Sequence, residues 1–444
     1  MSSKWTKCHH AARDGVRPNV EPLIKATLRE TREHNERLVL ATIYDDGPVS
    51  RADVARLTGL TRTTVSNVVE GLLGARLVRE IGRGPSTGGK APILLEVPDT
   101  ARLLIGVDLG DRVFSAATVS LRGEILRREE IPSEDADGDL AVELALQLIE
   151  RILAAADGPV LGIGIGSPGL VDTADGTVIR GVKRDWRHLP LGAMVEGRFA
   201  VPVHVANDSQ AAALAEYVFG ADRGRNLITV NVGEGIGAGL VLNGALFEGD
   251  GFGAGEIGHT VIDPDGELCR CERRGCLETL ASARAVLVRL ERLLGHSVSL
   301  DDAIAAFKAG DEVVAGVVLD AGERLGIALA GLVGALHVRR IILAGAMAGF
   351  GEPWLAAVHD AAASRSLATL ADDTTFELGP IDDLIVLGAS ALLMMRQLGL
   401  SLRPRRRRRP PSSDAAGEEP AALVRAPVGA GHLAVTTEGG GVPS

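Results

Sequence analysis

Three of the four cysteines in this 444-residue chain, Cys269, Cys271 and Cys276, fall within eight residues, and His259 stands ten residues before the first of them. Thiolate sulfur and imidazole nitrogen are the ligands of tetrahedral zinc. A set of three sulfurs and one nitrogen leaves no position open for water, which is the mark of a structural rather than a catalytic ion. The spacing therefore predicts a structural Zn2+ held by His259, Cys269, Cys271 and Cys276 inside one short loop. The competing reading is a local redox device or free thiols in an exposed loop, and three thiols packed this closely are a poor choice without a metal. Cys8, alone in a polar leader, is given no role.

A second constellation lies around the first. Asn207 and Asp208 follow an apolar run, and Glu256 and Glu278 flank the cysteine loop, all beside glycine-rich segments. With His259 they supply donors and acceptors of the kind that bind several hydroxyls at once. Each alone is more often a surface residue or a helix cap, so the reading rests on the set.

A third group lies near the N-terminus. Between Ser50 and Pro92 there are seven Arg or Lys against three Asp or Glu, in a chain whose net charge is −11. A basic island in an acidic chain points to an anionic partner. Ser50 and Asp53 form an S-x-x-D helix start, Val54, Ala55 and Leu57 give an apolar face, and Thr58-Gly59 is a stop. Thr61 caps a second helix whose inward residues are Val65, Val68, Val69, Leu72 and Leu73. The pattern is a helix-turn-helix. The outward face of the second helix carries Arg62, Thr63, Thr64, Ser66 and Asn67, side chains suited to base edges and phosphates. Two strands, LVREIG and ILLEV, enclose a glycine-rich linker with Arg83 and Lys90, which reads as a wing over the phosphate backbone. A solvated helical hairpin explains the helix pair alone, but not the helices followed by a basic wing.

The rest of the chain must position these groups. Apolar residues make up 46% and aromatics only 3%, so the core is built from Ala, Val, Leu and Ile. No apolar run reaches the ~18 residues of a membrane span, and the first twenty residues lack a signal-peptide core, so a cytoplasmic location without membrane contact is expected. Four regions are expected: a disordered leader over 1–21, a winged helix-turn-helix over 22–100, an α/β domain over 101–399, and a disordered Arg/Pro-rich tail over 400–444. In the α/β domain, LLIGVDLGD and VFSAATVSLRG read as strands, and residues 139–156 as a helix. LGIGIGSPGLVD and VPVHVAND each read as a strand running into a turn. The segment after Asp382 reads as a short strand followed by a helix. This rhythm predicts two similar lobes.

The motifs GEIGH (Gly255–His259), CRCERRGCLE (Cys269–Glu278), GSPG (Gly166–Gly169) and ANDSQAAALAE (Ala206–Glu216) resemble those of the ROK family of sugar-responsive repressors and sugar kinases. The resemblance runs from about Glu36 to Leu398 and includes the helix-turn-helix, which the family's kinases lack. It implies a two-lobed actin/hexokinase-like ROK domain. By this resemblance His259, Cys269, Cys271 and Cys276 match the zinc ligands, and Asn207, Asp208, Glu256, His259 and Glu278 match the sugar-binding positions. Asp208 matches the kinase base. His259 would serve twice, one ring nitrogen on zinc and the other towards a sugar hydroxyl.

Three departures qualify the resemblance. Asp111 stands where the first phosphate loop has Gly, and Glu234 replaces a hydroxyl in the second. Two acids facing a triphosphate oppose ATP use, each by about 1 kcal/mol or more. Glu272 stands where the family has Gly in the zinc knuckle and would strain a backbone with positive φ. The expectation is a sugar-responsive transcriptional regulator, a repressor, with operator DNA and a sugar or sugar-derivative effector as partners, assembled as a homodimer or tetramer. The alternatives are an ATP-dependent sugar kinase with an appended DNA-binding head, and a nucleic-acid scaffold without ligand. The scaffold would leave Glu256, His259 and Glu278 without a use.

Overall fold

The computed structural model describes residues 27–85, 91–134, 136–220, 224–379 and 383–400. The expected leader, Lys90 of the wing and the tail beyond residue 400 lie outside the described residues. Thr27 starts helix α1 (Leu28–Asp46) with a reciprocal cap, its hydroxyl accepting from Glu30 N while its own N–H donates to the Glu30 carboxylate. Val49–Ser50 forms a short strand, β1, and Ser50 with Asp53 repeats the cap at α2 (Arg51–Thr58). That helix stops at Gly59, whose φ of 73° is the left-handed conformation a C-terminal glycine supplies. Thr61 caps α3 (Arg62–Gly74), which buries Val65, Val69 and Leu72. Strands β2 (Arg79–Arg83) and β3 (Ile93–Glu96) complete a small antiparallel sheet in the order β1-β3-β2. This is a winged helix-turn-helix. One expected face differs: α2 buries only Val54, and Leu57 in its last turn stands outside the core, 43% exposed.

The first lobe begins with three antiparallel strands, β4 (Leu103–Asp108), β5 (Val113–Val119) and β6 (Ile125–Pro132). Helix α4 (Gly138–Ala154) leads to β7 (Val160–Ser167), parallel to β4. A small sheet follows, of β8 (Leu170–Asp172), β9 (Thr177–Gly181) and β10 (Trp186–Leu189). Helix α5 (Leu191–Phe199) then precedes β11 (Val203–Asn207), parallel to β7. The main sheet has the order β11-β7-β4-β5-β6.

Helix α6 (Asp208–Phe219) crosses to the second lobe, which opens with β12 (Leu227–Val232), β13 (Ile236–Leu242) and β14 (Ala245–Leu246). After the cysteine loop come α7 (Glu278–Ala281), α8 (Ala283–Leu294), α9 (Leu300–Lys308) and the long α10 (Glu312–Leu336). Strand β15 (Arg340–Ala344), helices α11 (Glu352–Ala363) and α12 (Ala368–Asp373), strand β16 (Thr375–Leu378) and helix α13 (Leu384–Leu398) finish the fold. Read from the far edge, this sheet is β16-β15-β12-β13-β14. In both lobes an antiparallel trio is extended by two parallel strands in the same order, so one plan is used twice. This is the two-lobed actin/hexokinase-like architecture.

Helix α13 covers the first sheet, α6 covers the second, and the two helices pack on each other between them. The approach is close enough that a Cβ added at Gly388 would sit 1.7 Å from the carbonyl oxygen of Ala211. The short strand expected after Asp382 is instead the first turns of α13, and the last strand lies upstream at Thr375–Leu378. LIVLGASALLMM is apolar all round because the helix it forms is buried on nearly every side, so it carries no period to separate helix from strand.

Candidate functional site

The cysteine loop folds by local bonds. Cys269 N donates to Arg273 O at 2.7 Å, Glu272 N donates to Cys269 O at 2.9 Å, and Gly275 N donates to Glu267 O at 2.8 Å. A Cβ at Gly275, whose φ is 67°, would meet Asp263 O at 1.4 Å, so only glycine fits there. These turns gather the ligand atoms of His259, Cys269, Cys271 and Cys276 within 4.8 Å of one another, a set that could hold a metal ion. Nδ1 of His259 lies 3.6 Å from Cys269 Sγ, and Cys271 Sγ lies 3.5 Å from Cys276 Sγ. Burial and the neighbouring thiols push the Cys276 thiol up to about 12. Three sulfurs this close can all be thiolates only around a cation. Glu272 has φ of 70°, the left-handed conformation anticipated from the glycine it replaces.

The other ring nitrogen of His259 faces away from the sulfurs, with Nε2 3.8 Å from Glu256 Oε2. Glu256 follows Gly255, where φ is 97° and an added Cβ would lie 1.7 Å from Ala238 O. Strand β13 thus passes directly behind the loop and fixes where Glu256 points. From the other lobe, β11 ends at Asn207 and α6 starts at Asp208. Asn207 Oδ1 caps the helix by accepting from Ser209 N at 2.9 Å and Gln210 N at 3.2 Å, and its Nδ2 donates to Gly169 O at 3.0 Å. Asn207 is therefore largely committed to the fold. Asp208 Oδ1 accepts from Ser209 N at 2.6 Å and from Ser209 Oγ. Glu278, at the start of α7, accepts from Ile236 N at 3.3 Å.

These carboxylates feel one another. Burial, then the charges of Asp208 and Glu278, push Glu256 up to about 7. Burial pushes Asp208 up to about 6 against the lowering effect of its Ser209 bonds. The cleft also contains an acid that is not among the site residues expected from the sequence. Asp108 closes β4, its Oδ1 is buried without a hydrogen-bond partner, and burial followed by the charges of Asp208, Asp111 and Asp383 pushes it up to about 8. The signal available in the sequence was an acid at the C-terminal end of a buried strand, where α/β folds place their sites.

The ROK family matches residues 104–393 of this chain, 65% of its length. The chain belongs to the ROK family. It is 32% identical over 386 residues to the xylose repressor of Caldicellulosiruptor bescii, covering 83% of this chain and 97% of that one. Among solved structures it is similar to a ROK family transcriptional regulator described as a homologue of the Escherichia coli MLC protein. That match has a TM-score of 0.74 and 26% identity, and covers 83% of this chain and 98% of the other. It is also similar to a ROK family glucokinase from Streptomyces griseus in complex with glucose and AMPPNP. Here the TM-score is 0.58 and the identity 28%, over 65% of this chain and 98% of the kinase.

The two acids that depart from the ROK phosphate loops do not face an empty cleft. Lys183 Nζ meets Asp111 Oδ1 at 2.9 Å, and Arg112 Nη2 meets Glu234 Oε1 at 3.0 Å. The second pair joins the β4–β5 turn of the first lobe to the β12–β13 turn of the second. Arg112, Lys183, Glu234, Arg270 and Arg284 are among the residues around a cavity of about 400 Å³ at this side of the cleft. Behind it the fully buried Arg184 donates to the carbonyls of Ser133, Ala136, Gly110 and Asp111 and lies over the Phe114 ring. The loop carrying Asp111 is thereby held from inside. Nothing in the local sequence announces Arg184, whose partners are distant backbone oxygens.

On the head, Arg62, Thr63 and Asn67 are exposed on α3, and Thr64 and Ser66 are half-buried beside them. Thr64 Oγ1 is 2.9 Å from Thr61 Oγ1, so it is shared with the cap. Arg83 is exposed at the end of β2, where the wing begins. No helix among the described residues is long and apolar enough to cross a membrane.

Proposed function

We propose that this chain is a sugar-responsive transcriptional repressor. The observation that carries this reading is the union, in one chain, of a winged helix-turn-helix with its polar α3 face exposed and a ROK cleft lined by Asp208, Glu256, His259 and Glu278. The similarity to the xylose repressor, over 83% of this chain and 97% of that one, supports it. In this reading Arg62, Thr63, Thr64, Ser66 and Asn67 read base edges in the major groove of operator DNA, and Arg83 and Lys90 hold phosphates. Two heads on a homodimer or a tetramer engage paired half-sites, as helix-turn-helix readers do. The protein works in the cytoplasm.

Asp208, Glu256 and Glu278 accept hydrogen bonds from sugar hydroxyls, and Asn207 contributes its remaining amide N–H. The metal in this reading is zinc. Tetrahedral bonds of ~2.3 Å to sulfur and ~2.0–2.1 Å to nitrogen require ligand separations of about 3.6–3.8 Å, and the separations at Cys269–His259 and Cys271–Cys276 are 3.6 Å and 3.5 Å. The bound ion would fix the histidine tautomer and the shape of the loop. His259 Nδ1 would face the metal, which leaves Nε2–H as a donor beside Glu256, ready for a hydroxyl. A sugar that bridges Asp208 on α6 and Glu256 on the opposite loop binds one lobe arrangement better than another, and so shifts operator affinity.

The test is operator binding by fluorescence anisotropy on the DNA upstream of the chain's own gene, with and without a panel of aldoses and aldose phosphates. Operator affinity that no sugar changes, despite sugar binding by calorimetry, would sink the sensing role. Asp208 and the likeness to the S. griseus glucokinase support a second reading, a sugar kinase carrying a DNA head. Turnover of ATP with any aldohexose decides for it.

A further inference from the structure

The head is not tethered to the first lobe by a free linker. Leu40 and Ile43 of α1 share one apolar cluster with Val119 and Leu121 of the first lobe and with Leu398 and Leu400 at the end of α13. Gly399 lies against Arg37 of α1, close enough that an added Cβ would meet Arg37 Cδ at 2.2 Å. The β5–β6 turn then closes over the last turn of α1. Tyr44 Oη donates to Leu121 O at 2.5 Å. Arg122 stacks over the Tyr44 ring with its Cζ 3.9 Å from the centroid, and its Nη2 donates to Tyr44 O at 2.9 Å. The same guanidinium donates through Nε to Asp99 Oδ1 at 3.1 Å, while Leu121 N donates to Asp99 O at 2.8 Å. Below this, Arg102 Nη2 donates to Ala75 O, just past α3, at 2.8 Å. One arginine of the first lobe therefore holds both the end of the first head helix and the segment leaving the head.

From this geometry we infer that Arg122 is a positioning residue that makes the head and the first lobe one rigid body. The sugar signal reaches DNA as a movement of the second lobe against that body, and not as a swing of the head on its linker. The inference rests on the repressor reading. Its physical basis is that a planar guanidinium held by a ring face, a carbonyl and a carboxylate at once has little freedom to yield. A cleft that closes about α6 and α13 can pass its rotation on to a neighbouring body only if that body does not absorb it.

The experiment compares wild type with Arg122→Ala, Arg122→Lys and the milder Tyr44→Phe, which removes the bond to Leu121 O and keeps the ring under Arg122. Three quantities are read on the full chain: affinity for the most effective sugar of the panel, operator affinity with and without it, and amide hydrogen exchange over residues 97–102. In Arg122→Ala, sugar affinity stays within about twofold. Exchange over 97–102 rises at least tenfold, and the sugar-induced change in operator affinity shrinks at least fivefold. Tyr44→Phe moves both quantities in the same direction by less. Arg122→Lys, which can keep a charge beside Asp99, recovers part of the response. A wild-type sugar response in Arg122→Ala overturns the inference, whether or not exchange rises, because the joint is then mere scaffolding. Unchanged exchange overturns it as well. Failure of the repressor reading looks different: wild type itself shows no sugar effect on DNA, while exchange still reports whether Arg122 locks the two parts together.

Discussion

The two walls of the cleft treat their acids in opposite ways. Where the cysteine loop faces α6, no Arg or Lys among the described residues pairs with Glu256 or Asp208, and burial raises the proton affinity of both. On the wall formed by the two glycine turns, Asp111 and Glu234 are matched by Lys183 and Arg112 at 2.9–3.0 Å. An acid left unpaired in a recess keeps its lone pairs for an incoming donor. An acid already paired has become part of the framework. The same residue types thus build a binding surface on one side and a closed ionic surface on the other. The repulsion expected between Asp111, Glu234 and a triphosphate is tempered by these cations, but the pairs themselves occupy the approach.

If the walls differ in this way, they should fail differently. The largest effect is expected from the metal loop: Cys276→Ala, or exhaustive chelation under reducing conditions, should lower sugar affinity by at least tenfold in calorimetry. The helical signal and operator binding of the head should survive, since none of the four ligands belongs to it. Retained sugar affinity in metal-free protein would separate the two sites. Next, Glu256→Gln should weaken sugar binding about tenfold, the loss of a charged hydrogen-bond acceptor, whereas Glu234→Gln should change it less than about threefold, because a half-exposed ion pair contributes little. Equal losses would erase the contrast between the walls.

A third expectation concerns pH. Asp108, pushed up to about 8, holds its proton more tightly in the native state than in the unfolded chain. Stability of the ligand-free protein should therefore fall as pH rises from about 4 towards about 8 and level off above. Asp108→Asn should flatten that slope in thermal unfolding, and a slope unchanged by the substitution would show that Asp108 is ionised throughout. The smallest effect belongs to Glu272. With φ of 70° it pays for a left-handed backbone, and Glu272→Gly should stabilise the loop by about 1 kcal/mol. Urea unfolding of the metal-loaded protein would measure it, and a destabilised variant would mean that the glutamate makes up for its conformation elsewhere.

Much of this molecule is legible in the sequence where the physics is local. Ser50–Asp53, Gly59 and Thr61 act on their own neighbours, so the head's helices begin and stop where those residues say. The metal loop is legible for the same reason, since its ligands come from one segment. Strands β6 and β10 escape a reading of the sequence because charged and half-exposed residues mask them although each pairs with the strand just before it, and β16 escapes because its partner β15 lies more than thirty residues upstream. Arg184 and Arg122 were missed because a side chain that bonds to distant carbonyls leaves no pattern around itself. Asp108 carries no local signal beyond its place at the end of a buried strand, and only the fold brings it to Asp208 and Asp383.

The crossing of α6 and α13 has a practical meaning for anyone selecting variants of this protein. At Gly388 a single hydrogen atom is all that separates one helix from the carbonyl of Ala211. A methyl group there cannot be absorbed by a side-chain rotation, because backbone meets backbone. It must be accommodated by sliding one helix along the other, and the helices carry a lobe each. Position 388 is thus a place where the resting angle of the whole cleft could be reset from a site that no ligand touches.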